Sequence, residues 1–223
     1  MADCSRHVLG NRIDDRNQAR QLRVRIGTDR RASNRMLSPR PTRNDLLAAE
    51  GKRLPDVIAP RLKILFSGIN PSLYSAAVGH HFARPGNRFW PALHAAGFTD
   101  RLLSPTEDRN LLALGYGITN IAAGATARAD QLSDDELANG RRRLLQKARR
   151  YRPQALAILG VTAYRTAWKR PQAALGLQSE RIDETLVWVL PNPSGLNASY
   201  QIPALAKIFR ELRLAVAGLE AEA

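Results

Sequence analysis

The stretch ILFSGINP, residues 64–71, opens as an apolar run and stops at an Asn-Pro turn. A short apolar run bounded by turn residues reads as a buried strand, here placed over Leu62–Ser67. Three further runs have the same form: Gly117–Ile121, Ala155–Leu159 and Leu186–Leu190. Helical patterns lie around them at Asn87–Ala96, Ser133–Arg150, Val161–Trp168 and Ile202–Ala217. Ser133 followed by Asp134-Asp135-Glu136 suits a helix start, as cap and as charge against the helix dipole. Near-continuous apolar strands alternating with helices predict an α/β fold with a parallel sheet covered on both faces.

Sheets of this kind hold ligands outside the carboxyl ends of their strands. Those ends bring Gly68-Ile69-Asn70-Pro71, Asn120, Gly160 and Pro191–Leu196 to one edge, so two Asn-Pro turns open there. The group delivered by the first turn is an uncharged amide. The chain has no glycine-rich phosphate loop with its lysine and no G-x-G-x-x-G, which argues against nucleoside triphosphates and dinucleotides. No His, Asp or Glu cluster has metal-ligand spacing, and the adjacent His80-His81 reads as a solvated loop pair. The single cysteine, Cys4, excludes a disulfide framework, an iron–sulfur cluster and a cysteine zinc site, and fits a reducing cytoplasm. No apolar run approaches a membrane span, so no membrane partner is expected.

Lys and Arg number 34 against 20 Asp and Glu, for a net charge of +14, and only five of the 34 are lysines. Arginine forks suit phosphate oxygens, and a strongly basic chain favours a polyanion. Met1–Arg43 holds eleven arginines and four acids, is rich in Asn, Ser and Pro, and lacks an apolar period. It reads as a mostly disordered basic arm, taken to residue 55, with one domain over 56–223. A short amphipathic helix around Asp45–Arg53 leads into that domain. The expected state is a monomer in the cytoplasm, associated with the nucleoid.

Six segments in order carry a resemblance. They are Gly68–Leu73, Phe82-Ala83-Arg84-Pro85-Gly86-Asn87-Arg88-Phe89-Trp90, Ala96-Gly97-Phe98, Gly117-Ile118-Thr119-Asn120, Pro153–Gly160 and Trp188–Leu196. Over about residues 57–215 the chain resembles the mismatch-specific uracil-DNA glycosylases and their thymine-DNA glycosylase relatives. The resemblance implies a three-layer α/β/α sandwich with a four-stranded parallel sheet. It also implies monofunctional hydrolysis of the N-glycosidic bond of a mispaired uracil in double-stranded DNA, without metal or cofactor.

By the same resemblance Asn70 holds the attacking water. Breaking a glycosidic bond passes through an oxocarbenium-like state, and an amide can orient a water by accepting its hydrogen. Ile69, Pro71, Ser72, Ser75, Phe82, Asn87, Asn120 and Asn192 then form the base pocket, with Phe82 stacking on the flipped base. Ser194, Gly195, Leu196 and Asn197 form an insertion loop. Leu196 is its apolar wedge, and the backbone of Gly195 and Asn197 faces the orphaned guanine, Gly195 allowing a close approach. Ser72 stands where relatives commonly have glycine or alanine, so acceptance of thymine's methyl group turns on it. Asp130, downstream of the second strand, is expected to reach the site and supply the charge Asn70 lacks. The signatures of the highly efficient uracil-DNA glycosylases are absent, so slow chemistry is expected. Two other readings share the scaffold. A non-catalytic nucleic-acid binder would keep the basic face and Leu196 without needing Asn70, and a small-molecule hydrolase would need neither wedge nor arginine excess.

Overall fold

The computed structural model describes residues 40–221, so most of the expected arm, residues 1–39, lies outside the described residues. Among the described residues the larger compact unit begins at Pro41. Thr42 caps helix α1 (Arg43–Leu47), shorter than the Asp45–Arg53 helix read from sequence: its hydroxyl accepts from the Asp45 N–H, and the Asp45 carboxylate accepts from the Thr42 N–H. Ala49 is buried, and the Gly51 N–H donates to the Ala125 carbonyl at 2.9 Å. Residues 41–55 therefore belong to the domain through their own backbone bonds.

The sheet has five strands: β1 (Ile64–Gly68), β2 (Tyr116–Asn120), β3 (Ala155–Leu159), β4 (Gly176–Ile182) and β5 (Thr185–Leu190). Their order is β2-β1-β3-β5-β4; the first four run parallel, and β4 is antiparallel to β5. This corrects the four-stranded parallel sheet to a mixed one. The four parallel strands are the four apolar runs, because a strand covered on both faces reads as a near-continuous apolar run. β4, Gly-Leu-Gln-Ser-Glu-Arg-Ile, alternates in exposure at the border of the sheet, so it carries no such run.

Helices cover both faces, giving three layers. Alternate residues of one strand feed opposite cores. Phe66 packs edge-on against Phe89 and Phe98, with ring centroids 5.5 and 5.6 Å apart, beneath α3 (Phe89–Ala95) and α6 (Ile202–Ala221). Leu65, Leu156 and Val187 face α4 (Asp134–Tyr151) and α5 (Val161–Trp168) on the other side. A short helix, α2 (Leu73–Val78), follows the Asn-Pro turn directly. Ser133 and Glu136 form the capping box at the start of α4, as the sequence predicts. Gly140 in α4 lies so close to the sheet that a Cβ there would stand 2.4 Å from the Ile121 carbonyl oxygen. That contact seats α4 immediately beyond the end of β2. No helix among the described residues is long and apolar enough to cross a membrane.

Candidate active site

The carboxyl ends of β1, β2, β3 and β5 open into a narrow pocket of about 100 Å³. That is well below the volume of sites for drug-sized ligands and suits a single small ring. Past the end of β1, pairing with the chain leaving β2 continues. The Ile121, Ala122 and Thr126 N–H groups donate to the carbonyls of Gly68 (2.9 Å), Ile69 (2.8 Å) and Pro71 (3.3 Å). The exit from β2 thus runs beside the Asn-Pro turn and places Thr126 against Asn70.

Asn70 Nδ2 donates to Thr126 Oγ1 at 2.7 Å and to the Pro71 carbonyl at 3.1 Å. Thr126 donates its own hydroxyl proton to the Arg128 carbonyl at 2.7 Å, so toward Asn70 it can only accept. The Pro71 carbonyl can only accept as well. Both partners set the amide the same way round, with the NH₂ spent on protein and Oδ1 left over. No described residue donates to Oδ1, and Asn70 lines the pocket. The site therefore holds a fixed acceptor that no described side chain or backbone N–H meets. Thr126 was not singled out in the sequence, because its role arises only from strand pairing prolonged beyond both strands.

The pocket wall is built from the neighbouring turns. Phe82 sits at φ 53°, a conformation that costs a bulky residue energy, and stacks on buried Phe89 with centroids 4.1 Å apart. Its ring edge lies over Gly68, where a Cβ would stand 3.3 Å from Phe82 and 2.5 Å from Asn120 Oδ1. Buried Ser75 accepts from the Ala83 N–H at 3.1 Å and from the Ser72 hydroxyl at 3.0 Å, while Ser72 Oγ caps α2 by accepting from the Ser75 N–H. Asn87 Oδ1 accepts from the Phe89 N–H at 2.9 Å and starts α3. Asn192 Oδ1 accepts from the Ser194 N–H at 3.0 Å, a local turn bond. Ile69, Pro71, Ser72, Ser75, Phe82, Asn87, Asn120, Asn192, Ser194 and Leu196 all line the pocket beside Asn70.

The structure corrects one expectation and gives Asp130 and Gly195 their surroundings. His80-His81 is not a solvated pair. His81 is buried at the pocket wall, its Nε2 is 3.0 Å from the Pro55 carbonyl, and His80 Nδ1 is 3.3 Å from Asp108. Burial holds the His81 pKa below the usual histidine range, and Nε2 must carry the proton that meets Pro55. Asp130 does not line the pocket; its exposed carboxylate is held by Arg128 through two bonds of 3.1 and 2.5 Å. Two residues apart, Arg128 and Asp130 pair with each other on the exposed surface. Gly195 also has a packing reason to lack a side chain, since a Cβ there would stand 2.7 Å from the Gly86 carbonyl oxygen.

Leu196 remains 66% exposed at the pocket mouth. Its loop is tied by the Asn197 N–H to the Ser194 carbonyl and by Asn197 Nδ2 to the Asn192 carbonyl, both at 2.9 Å. Arg84 and Arg128 also line the pocket, and no Asp or Glu does. The pocket thus sets a neutral amide acceptor near the Arg84 guanidinium, while the Arg128 charge is met by Asp130.

The solution NMR structure of a proposed uracil DNA glycosylase from Methanosarcina acetivorans is similar to this chain. It is 20% identical, covering 73% of this chain and 98% of that one, with a TM-score of 0.47. The family model described as the uracil DNA glycosylase superfamily matches residues 55–213, from the turn before β1 into α6. The chain belongs to the uracil DNA glycosylase superfamily.

Proposed function

We propose that the protein is a monofunctional glycosylase that removes uracil, flipped out of double-stranded DNA, from opposite guanine. The observation that carries this reading is the Asn70 amide, pinned by Thr126 and Pro71 so that Oδ1 meets no described protein donor and lines the pocket. The base leaves the stack and lies against Phe82, whose far side is backed by Phe89. Asn70 Oδ1 accepts one hydrogen of a water and aims its oxygen at C1′. The new C–O bond forms as the C1′–N1 electron pair leaves with the base, and the water's proton passes to solvent. Orientation supplies the rate at this centre, because the amide itself cannot take a proton. Leu196 fills the vacated stack.

The test is incubation with end-labelled duplexes carrying G·U, A·U, G·T or unpaired uracil, followed by alkali to reveal abasic sites. G·U should be cut fastest. G·T should be slower, since Ser72 adds bulk to the pocket wall where glycine would leave room. Tight binding without any cleavage would leave a mispair-binding protein on the same scaffold.

Two substitutions probe the parts. Thr126→Val removes the acceptor that holds Asn70 and should slow single-turnover excision about tenfold, the equivalent of one hydrogen bond. An unchanged rate would mean that Pro71 alone orients the amide. Leu196→Ala should cost about tenfold on paired uracil and little on uracil in a single strand, where there is no stack to open. Equal losses on the two substrates would return Leu196 to ordinary surface packing.

A further inference from the structure

We infer that Arg88 is the residue that sets the insertion loop, acting as a positioning residue for base flipping; this rests on the glycosylase reading. Arg88 lies between Asn87 of the pocket wall and Phe89 of the aromatic platform. Its guanidinium reaches across 106 to 112 residues of sequence and donates to three backbone carbonyls of one loop. These are Ser194 at 3.0 Å, Asn197 at 2.7 Å, and Tyr200. Its own N–H donates to the Pro193 carbonyl at 2.9 Å. The carbonyls of Ser194 and Asn197 bracket Leu196, so the bonds close on the wedge from both sides.

No carboxylate pairs with Arg88 among the described residues. A half-buried guanidinium is therefore spent wholly on backbone acceptors. Its fork can meet several carbonyls at once, which a lysine ammonium does less well. The packing of Gly195 on the Gly86 backbone joins the same two segments a second time. The leucine that opens the stack and the phenylalanine that receives the base are thus held in one frame. A loop left loose would have to be ordered during each flipping event, and that entropy would slow capture of the base.

The experiment compares single-turnover excision of uracil from duplex and from single-stranded DNA. Arg88→Met keeps the length of the stem and removes every donor. It should lose about tenfold or more on the duplex and stay within about twofold on the single strand. Arg88→Lys should fall between the two proteins. In a Leu196→Ala background the further loss from Arg88→Met should shrink to within about twofold, because Arg88 acts through Leu196. Equal losses on both substrates, or an undiminished loss in the Leu196→Ala background, would overturn the inference. Should Arg88→Met not fold, Arg88→Lys carries the same ratios. If the wild type excises uracil from neither substrate, it is the glycosylase reading that fails. Hydrogen exchange at the Leu196 and Asn197 amides then decides the loop: faster exchange in Arg88→Lys supports the clamp, and unchanged exchange overturns it.

Discussion

Asn70→Ala is expected to slow single-turnover excision by roughly two to three orders of magnitude, the range for loss of one well-placed polar group from a site. Affinity for a G·U duplex and the melting temperature should stay nearly unchanged. The amide is half-buried and lines the pocket with Thr126 and Pro71, where water can take its place. Asn70→Asp is the sharper probe. A carboxylate can hold water and also take its proton, so some activity should survive where alanine loses it. One carboxylate oxygen would then face the Pro71 carbonyl in place of an NH₂, which disfavours the ionised form and raises its pKa. Activity of Asn70→Asp should therefore climb with pH through that raised value, whereas the wild-type amide does not titrate. Wild-type rates from Asn70→Ala would remove the amide from the mechanism.

Gly140→Ala should destabilise the domain, although alanine is the better helix former. Alanine in a helix interior contributes about 1 kcal/mol over glycine. Against this, the new methyl would stand 2.4 Å from the Ile121 carbonyl oxygen and 2.8 Å from its carbon, atoms that cannot swing aside as a side chain would. Overpacking against a rigid partner costs up to about 3 kcal/mol. The net loss is about 2 kcal/mol, or about 4–8 °C in melting temperature for a domain of this size. Thermal unfolding followed by circular dichroism reads this directly, and a rise in melting temperature would show that α4 can lift off the sheet at little cost. Ile121 follows Asn120, so excision should slow as well in the folded variant.

How far the sequence reveals this protein depends on whether a feature is local. β3 and α5 lie where the sequence puts them, because an apolar run between turn residues and an amphipathic segment after Gly160 each declare themselves. β4 does not, since a border strand of Gln, Ser, Glu and Arg has the composition of a loop and gains its structure from β5. The two Asn-Pro turns and the pocket residues between them were legible as strand ends facing one edge. Thr126 and Arg88 were not, because each is defined by a partner far along the chain: 56 residues to Asn70 and 106 to Ser194. Asp130 shows the opposite case. Its nearest cation is two residues away, and that short-range pairing prevails over a longer reach to the pocket.

The border strand has a consequence for the protein's behaviour in company. Among the described residues nothing pairs with the outer flank of β4, and an open flank of backbone groups is a template for a strand from another copy. A polyanion gathers basic chains to high local concentration, where such encounters are most frequent. β4 meets them with a register shift between Leu177 and Arg181 that bends its ladder, and with the charges of Glu180 and Arg181 along its length. A second copy arriving at that flank finds neither a straight row of acceptors nor an uncharged face. The border strand of the sheet is thereby a poor template for joining two copies into a common sheet.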